Sequence, residues 1–245
     1  MSVLTLVLTA VQTASGTTPA TPVPFRVGER FDYGARMGVI PVGKASIQVA
    51  SIDTIRGEPV FRFQYNMDAS ALFGAFKLNS TLESWTTVDG FNSLRFRQDN
   101  KQNGKQYVRQ FEIFPDSSRY QQVTPDPLAS QPSVAEPLDD ASFLFFVRST
   151  PLVVGQTYQF NRYFRADRNP IVIKVLKREK MELPDGTEVN CLVLNPVVGE
   201  RGLFAKRNDA RLWLTDDARR IPVQIRSTFE WGQITLRLQR MVLSE

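Results

Sequence analysis

The residue types that could perform chemistry in this sequence are two adjacent pairs of carboxylates and one thiol. The pairs are Asp139-Asp140 and Asp216-Asp217, and the thiol is Cys191. Hydrolysis of a glycosidic bond needs two carboxylates that converge on the sugar. Neighbouring residues of a strand point to opposite faces, so neither pair converges by itself. We therefore interpret Asp139-Asp140 as a helix cap and Asp216-Asp217 as a turn whose carboxylates accept hydrogen bonds from local amides.

The chain of 245 residues contains no histidine, which removes the commonest general base, the serine triad and most zinc sites. The sequence also has no Gly-rich phosphate loop, no dinucleotide fingerprint and no EF-hand calcium loop. Cys191 lies in the apolar run Val189–Leu194, which predicts a buried core thiol. We expect no catalytic residue, no cofactor and no metal. A hydrolase that uses carboxylates from distant strands remains an alternative.

The first residues have the pattern of a signal peptide. Val3–Val11 is uncharged and apolar, but it is shorter than the roughly 20 residues that a spanning helix needs. Small residues follow at Thr13–Gly16, as in a cleavage zone, although no basic residue precedes the run. A first core strand or a frayed end is the alternative. We expect a signal-peptide-like segment at residues 1–15, a Pro/Thr linker at 16–24, one β-rich domain at 25–245, no integral membrane span and export to the periplasm.

The segment Phe160–Lys180 carries excess positive charge in a chain whose formal net charge is +5. Such a patch can contact anionic lipid headgroups, acidic glycans or nucleic acid, or it can be a solvated strand face and loop. Aromatic and basic residues interleave from Tyr158 to Arg165, as they do in grooves that stack single-stranded nucleic acid. Export argues against a nucleic-acid partner, and a strand with one core face gives the same pattern. The candidate ligand-binding residues are Arg162, Arg165, Arg168 and Trp213.

Alternation of apolar and polar residues predicts strands along most of the chain. In Phe61–Met67, for example, aromatic residues and Met alternate with polar residues. One helix is predicted at Ala141–Arg148, and its run Phe143–Val147 is apolar enough to belong in a core. These elements predict a mainly β fold. We expect a strongly curved antiparallel sheet or open barrel of about ten or more strands around one central helix.

Four groups of residues, in order along the chain, resemble the domain of unknown function family 3108, a group of exported bacterial proteins. The closing group, Leu212–Asp217 followed by Arg220 and Pro222-Val223, is the most specific. The resemblance extends from about Phe25 to Leu238, and it implies export and a β-rich fold but no established activity. The other groups are Phe25, Gly28-Glu29, Tyr33, Gly38 and Gly43; Asp140–Arg148 with Pro151-Leu152 and Gly155; and Lys174–Glu182 with Pro184, Gly186 and Cys191.

The sequence favours a non-enzymatic periplasmic protein whose curved sheet binds an apolar or amphiphilic envelope ligand, such as a lipid or a lipid-linked glycan. Its aromatic-rich composition, with 17 Phe, suits such a sheet. The alternative from another class is a structural module that binds a second envelope protein through a sheet edge.

Overall fold

The computed structural model of the chain describes residues 23–71, 76–230 and 232–244. Within these ranges the strands form one antiparallel sheet, and one α-helix, α1 (Ser142–Ser149), packs against it. The predicted mainly β fold with a central helix is confirmed. The signal-peptide-like segment and most of the linker lie outside the described residues, so they and the domain boundaries stay predictions.

Fourteen strands are present in the part of the chain that the structure describes. Before the helix come β1 (Arg30–Met37), β2 (Ile40–Ile55), β3 (Glu58–Ala71), β4 (Phe76–Thr87), β5 (Ser93–Gln102), β6 (Lys105–Phe114), β7 (Arg119–Thr124) and β8 (Gln131–Pro132). After the helix come β9 (Thr157–Phe160), β10 (Ile171–Glu182), β11 (Glu188–Val197), β12 (Arg211–Thr215), β13 (Pro222–Phe229) and β14 (Gly232–Val242).

The sheet is open, and its two edges come from the middle of the chain. The strand order is β8-β7-β6-β5-β4-β3-β2-β1-β14-β13-β12-β11-β10-β9. Consecutive strands pair antiparallel within β1–β8 and within β9–β14, and β1 pairs with β14 to join the two halves of the sheet. The segment between the edge strands β8 and β9 must therefore pass from one edge to the other. Helix α1 lies in this segment, which explains why it crosses a face of the sheet.

Aromatic rings fill the space between α1 and the sheet. Phe145 is fully buried and stacks on Phe63 of β3, with ring centroids 3.9 Å apart and planes 12° apart. Phe25 meets Phe145 edge-on at 5.0 Å. We call the face that contacts α1 the inner face. Burial of each such ring stabilises this architecture by about 1.5–3 kcal/mol.

The start of α1 shows how the predicted cap works. Asp139 Oδ1 accepts hydrogen bonds from the backbone amides of Ala141 and Ser142, both at 2.9 Å, and Ser142 Oγ accepts from the amide of Asp139. This reciprocal arrangement is a capping box, with Ser in the position usually taken by Glu or Gln. The cap prediction is confirmed for Asp139. None of the described helices is long and apolar enough to cross a membrane.

Candidate functional site

The register of the strands defines a second face of the sheet, turned away from α1. Leu212, Ile225, Leu236 and Ala35 stand opposite one another on four adjacent strands and belong to the core. Their neighbours in sequence point the other way, because side chains alternate along a strand. We call this second face the outer face. One row across it consists of Trp213, Gln224, Arg237, Gly34 and Lys44.

A groove of about 350 Å³ opens on the outer face where β1–β4 and β14 meet. Its charges are mixed: Arg30 pairs with Asp32 at 2.8 Å, and Lys44 stands opposite Asp68 in the register. The groove is also lined by polar uncharged residues, which are Ser46, Asn66, Asn79, Ser80, Thr81 and Gln239. This lining suits a polar group without selecting one sign of charge.

A second groove of about 370 Å³ lies beside the first and shares Lys44 and Gln239 with it. Its charged lining residues are Arg36, Lys44 and Arg237, and no carboxylate of the described residues lines it. A Cβ at Gly34 would lie 2.5 Å from the Gln239 amide nitrogen, so glycine at this position leaves room for the Gln239 side chain. We call it the cationic groove, because its charged lining residues are all positive, which favours an anion.

The β1–β2 hairpin exposes apolar side chains next to the cationic groove. Pro41 lines the groove, and Val39 and Ile40 are 84% and 57% exposed. Exposed large apolar residues that adjoin cations are typical of surfaces that contact lipid. This end of the sheet therefore presents exposed apolar side chains beside positively charged ones.

The structure uses Arg162, the first of the candidate ligand-binding residues, to connect loops. Its guanidinium lies 4.9 Å from the centroid of the Phe146 ring on α1. It also donates hydrogen bonds to the carbonyls of Glu136 at 2.9 Å and Phe91 at 2.8 Å. These contacts tie the loop after β9 to the loop after β4 and to the segment before α1.

Arg165 and Arg168 are held separately in the same loop. Arg168 lies over the Tyr163 ring, 4.1 Å from its centroid, and pairs with Asp140 at 3.0 Å. Arg165 is more exposed and pairs with Asp167 at 2.8 Å. Asp140 therefore forms an ion pair with a loop arginine, whereas Asp139 caps the helix. A ligand-binding role for these arginines stays a prediction.

Trp213, the fourth candidate, lies on the outer face but is only 4% exposed. The guanidinium carbon of Arg226 lies 5.2 Å from its ring centroid. The indole Nε1 has no hydrogen-bond acceptor within the described residues. The structure thus places Arg226 over Trp213, and Arg237 lies in the same register row on the far side of Gln224.

The Asp216-Asp217 pair has two separate tasks. Asp217 Oδ1 accepts hydrogen bonds from the Arg219 amide at 3.0 Å and from Thr215 Oγ1 at 2.7 Å. The turn prediction is confirmed for Asp217. Asp216 instead pairs with Arg178 of β10 at 2.6 Å, so the predicted bonds to local amides are made by its neighbour alone. Both carboxylates are neutralised by arginines that hold the strands in place.

A buried ion pair connects the start of the domain to the end of α1. Arg148 Nη1 lies 2.5 Å from Glu29 Oε1, and Arg148 Nη2 donates to Glu29 Oε2 at 3.0 Å. The Arg148 side chain is 0% exposed and that of Glu29 is 5% exposed. Arg148 also donates to the carbonyls of Arg219 and Arg220 at 3.0 Å each. Its charge is therefore paired, and its donors are used, as burial requires.

The contacts of Arg148 join residues from three of the sequence groups that carry the family resemblance. Glu29 belongs to the opening group, Arg148 to the helix group and Arg220 to the closing group. Tyr33, also in the opening group, donates from its buried hydroxyl to the carbonyl of Pro222 at 2.8 Å. Groups that are far apart in sequence therefore meet at one place, where they fix the helix inside the sheet.

The thiol is buried, and the described acidic side chains form no cluster that could hold a metal ion. Cys191 is buried, as predicted, and burial raises the pKa of its thiol to about 12. A thiol in this state is protonated at neutral pH and is a poor nucleophile. Across residues 23–71, 76–230 and 232–244, no cluster of three or more Cys, Asp or Glu side chains could hold a metal ion.

Comparison with known families agrees with this arrangement. Residues 31–239 match the family described as "Protein of unknown function (DUF3108)". The chain belongs to this family. The match covers the sheet from β1 into β14 and includes α1, and Glu29 lies just before it. No curated protein matches the chain. The family is defined by sequence, and its description assigns no activity.

A solved structure shares the architecture of this DUF3108 chain. It is the crystal structure of a β-barrel-like protein of the domain of unknown function DUF1849 from Brucella abortus. The TM-score is 0.59 at 9% sequence identity, over 91% of this chain and all of that one. At this identity the likeness concerns the fold alone.

Sequence reasoning missed the cations of the outer face and the buried role of Arg148. Arg36, Arg226 and Arg237 each follow or precede an apolar strand residue, so each has the pattern of an ordinary solvated side chain. The available signal was their alternation with core residues on three strands. That signal gives the face of each side chain, but it does not give the register that makes them neighbours.

Proposed function

We propose that this DUF3108 protein is a non-enzymatic, exported protein of the bacterial envelope that binds an amphiphilic ligand with an anionic headgroup. The observation that carries the proposal is the cationic groove, whose charged lining residues Arg36, Lys44 and Arg237 are all positive. The groove lies beside the exposed apolar hairpin residues Val39 and Ile40. The headgroup occupies the groove, and the apolar part of the ligand lies along the hairpin.

A ligand on the outer face fits better than one held inside the curve of the sheet, because the inner face is already covered. Helix α1 and the rings stacked on it occupy that side, and Phe145 is fully buried there. The first groove, with its hydroxyl and amide lining, extends the site toward a sugar or another polar headgroup. An amphiphile on the outer face therefore fits better than a wholly apolar molecule in the core.

A carboxylate-based hydrolase and a module that binds another protein through a sheet edge have less support. The described acidic pairs are occupied, since Asp139 caps α1 and Asp216 and Asp217 pair with arginines. Beyond the short edge strand β9, the open part of β10 carries Lys177, Arg178 and Lys180, and charged side chains on an edge disfavour the addition of a partner strand.

Vesicle flotation tests the proposed function. The wild-type protein is expected to float with vesicles of phosphatidylglycerol and to stay in solution with vesicles of phosphatidylcholine. The double variant Val39→Ser, Ile40→Ser removes the apolar contact, and Lys44→Gln removes one groove charge. Each should reduce the floating fraction, whereas Lys180→Gln, a charge change at an exposed ion pair on β10, should not. Equal flotation of all variants, or none by the wild type, would refute the proposal.

Export is tested by the mature N-terminus. The apolar run Val3–Val11 and the small residues after it motivate the expectation. Protein recovered from a Gram-negative periplasm should begin between Val11 and Thr21. A periplasmic chain that still starts at Met1 would contradict cleavage of a signal peptide.

A further inference from the structure

Two tryptophans of this chain lie on the outer face beside arginines, and the two clusters differ in one respect. Trp85 has the guanidinium groups of Arg62 and Arg95 at 5.4 and 5.6 Å from its ring centroid. Trp213 has Arg226 at 5.2 Å and Arg237 in its register row. Each cluster has at least one guanidinium over a tryptophan ring, but the hydrogen-bond acceptors of the two clusters differ.

Around Trp85 the protein itself supplies the anions. The indole Nε1 donates to Asp53 at 2.9 Å, and Arg95 pairs with Glu112 at 2.5 Å. Arg62 forms a short ion pair with Glu83. Each donor group of this cluster therefore has a carboxylate of its own.

Around Trp213 the corresponding donors have no acceptor within the described residues. These unpaired, buried nitrogens are Trp213 Nε1, Arg226 Nε and Arg237 Nη1. Arg237 donates through its other terminal nitrogen to the carbonyl of Glu182. A buried N–H without an acceptor costs about 1–3 kcal/mol, and more when the group is charged. Three such donors on adjacent strands β12, β13 and β14 are thus a costly arrangement unless an anion completes it.

Two carboxylates that follow β12 already pair with other arginines. Asp216 and Asp217 directly follow β12, the strand that carries Trp213. Asp216 pairs with Arg178, and Asp217 pairs with Arg219 at 2.7 Å. No carboxylate of the described residues forms an ion pair with Arg226 or Arg237.

We infer that Trp213, Arg226 and Arg237 form a binding site for a phosphate group. This inference rests on the proposed function and specifies its headgroup, because Arg237 also lines the cationic groove. A tetrahedral oxyanion offers enough acceptor positions for three donors that come from different strands. Planar guanidinium groups bind phosphate through paired hydrogen bonds, which makes arginine the common residue at such sites. The phosphate can belong to a lipid headgroup or be free in solution, and both sources present the same chemistry to the site.

Isothermal titration calorimetry with inorganic phosphate at low ionic strength tests the site without any lipid. Saturable binding by the wild-type protein is expected, and it should weaken as salt is raised to about 0.1 M. Arg226→Gln and Arg237→Gln should each weaken binding about tenfold or more, the loss expected for one charge-assisted hydrogen bond. Trp213→Phe should weaken it less, because it removes one neutral donor while keeping an aromatic ring.

Matched variants separate binding from folding and from net charge. Arg62→Gln in the Trp85 cluster makes the same change of charge beside a tryptophan and should leave phosphate affinity unchanged. Arg226→Lys keeps the charge but loses the planar guanidinium, so it should restore only part of the affinity. Thermal melts of each variant show whether the fold is retained. The inference is overturned if the wild type does not bind phosphate, or if folded Arg226→Gln and Arg237→Gln bind like the wild type.

The same variants distinguish this inference from the proposed function. If the wild type binds inorganic phosphate but does not float with phosphatidylglycerol vesicles, the phosphate site stands and the amphiphile proposal fails. If Arg226→Gln and Trp213→Phe float like the wild type while Lys44→Gln does not, the amphiphile proposal stands and the phosphate site is refuted.

Discussion

The buried ion pair between Glu29 and Arg148 provides the sharpest test of how this fold is held together. Glu29→Ala leaves the Arg148 guanidinium with 0% exposure and without its counter-ion. Removal of one partner of a buried pair costs about 3–5 kcal/mol, because the remaining charge is desolvated and uncompensated. The backbone carbonyls of Arg219 and Arg220 still accept from Arg148, which places the expected loss toward the lower end of this range.

Urea unfolding followed by far-UV circular dichroism measures this loss. Glu188→Ala is the matched control, since Glu188 pairs with Lys180 at 3.1 Å but both side chains are about two-thirds exposed or more. Such a surface pair contributes about 0–1 kcal/mol. The double variant Glu29→Leu, Arg148→Met should lose less than the sum of the single losses, because no charge stays buried alone. If Glu29→Ala costs no more than Glu188→Ala, the ion pair does not fix α1 and the reasoning is wrong.

Three further changes test the helix, its cap and the closing turn. Phe145→Ala should cost about 3–5 kcal/mol in thermal or urea unfolding through lost transfer energy and a cavity, and clearly more than Phe146→Ala, whose side chain is only partly buried. Burial raises the pKa of Asp139 to about 6, so the wild type should lose up to about 3 kcal/mol of stability as pH rises from about 4 to 6, and Asp139→Asn should abolish this dependence. Burial opposes ionisation of Asp217, but hydrogen bonds from Thr215 and Arg219 outweigh the effect of burial and lower the pKa of this carboxyl. The stability that ionised Asp217 contributes should therefore be lost below a pH of about 4. Asp217→Ala should cost about 0.5–2 kcal/mol at neutral pH and Asp217→Asn less, because an amide oxygen still accepts from the Arg219 amide; equal melting of the two variants would contradict the turn role.

The elements of the fold could be predicted from the sequence because their signals are local. Alternation in Phe61–Met67 falls within β3, and the apolar run Phe143–Val147 falls within α1. The Asp139 cap needs only residues three positions apart. These features depend on backbone geometry over a few residues, which the sequence displays directly.

The candidate site could not be predicted in the same way because it depends on the register of distant strands. Gly34 and Arg237 become neighbours only through the pairing of β1 with β14, which joins the two ends of the domain. A shift of one residue would move Arg237 to the inner face. Arg148 illustrates the same limit: a basic residue in the last turn of a helix usually contacts solvent and the helix dipole, and only the tertiary structure encloses it with Glu29.

Native mass spectrometry of the protein purified from a Gram-negative periplasm tests the central claim most directly. The wild type is expected to carry a bound phosphate-containing amphiphile, visible as a discrete mass increase that disappears on mild activation. The variant Arg226→Gln, Arg237→Gln should be isolated without it, while Arg62→Gln should retain it. A wild-type protein that is free of any such ligand, or a double variant that carries the same mass increase as the wild type, would contradict the claim.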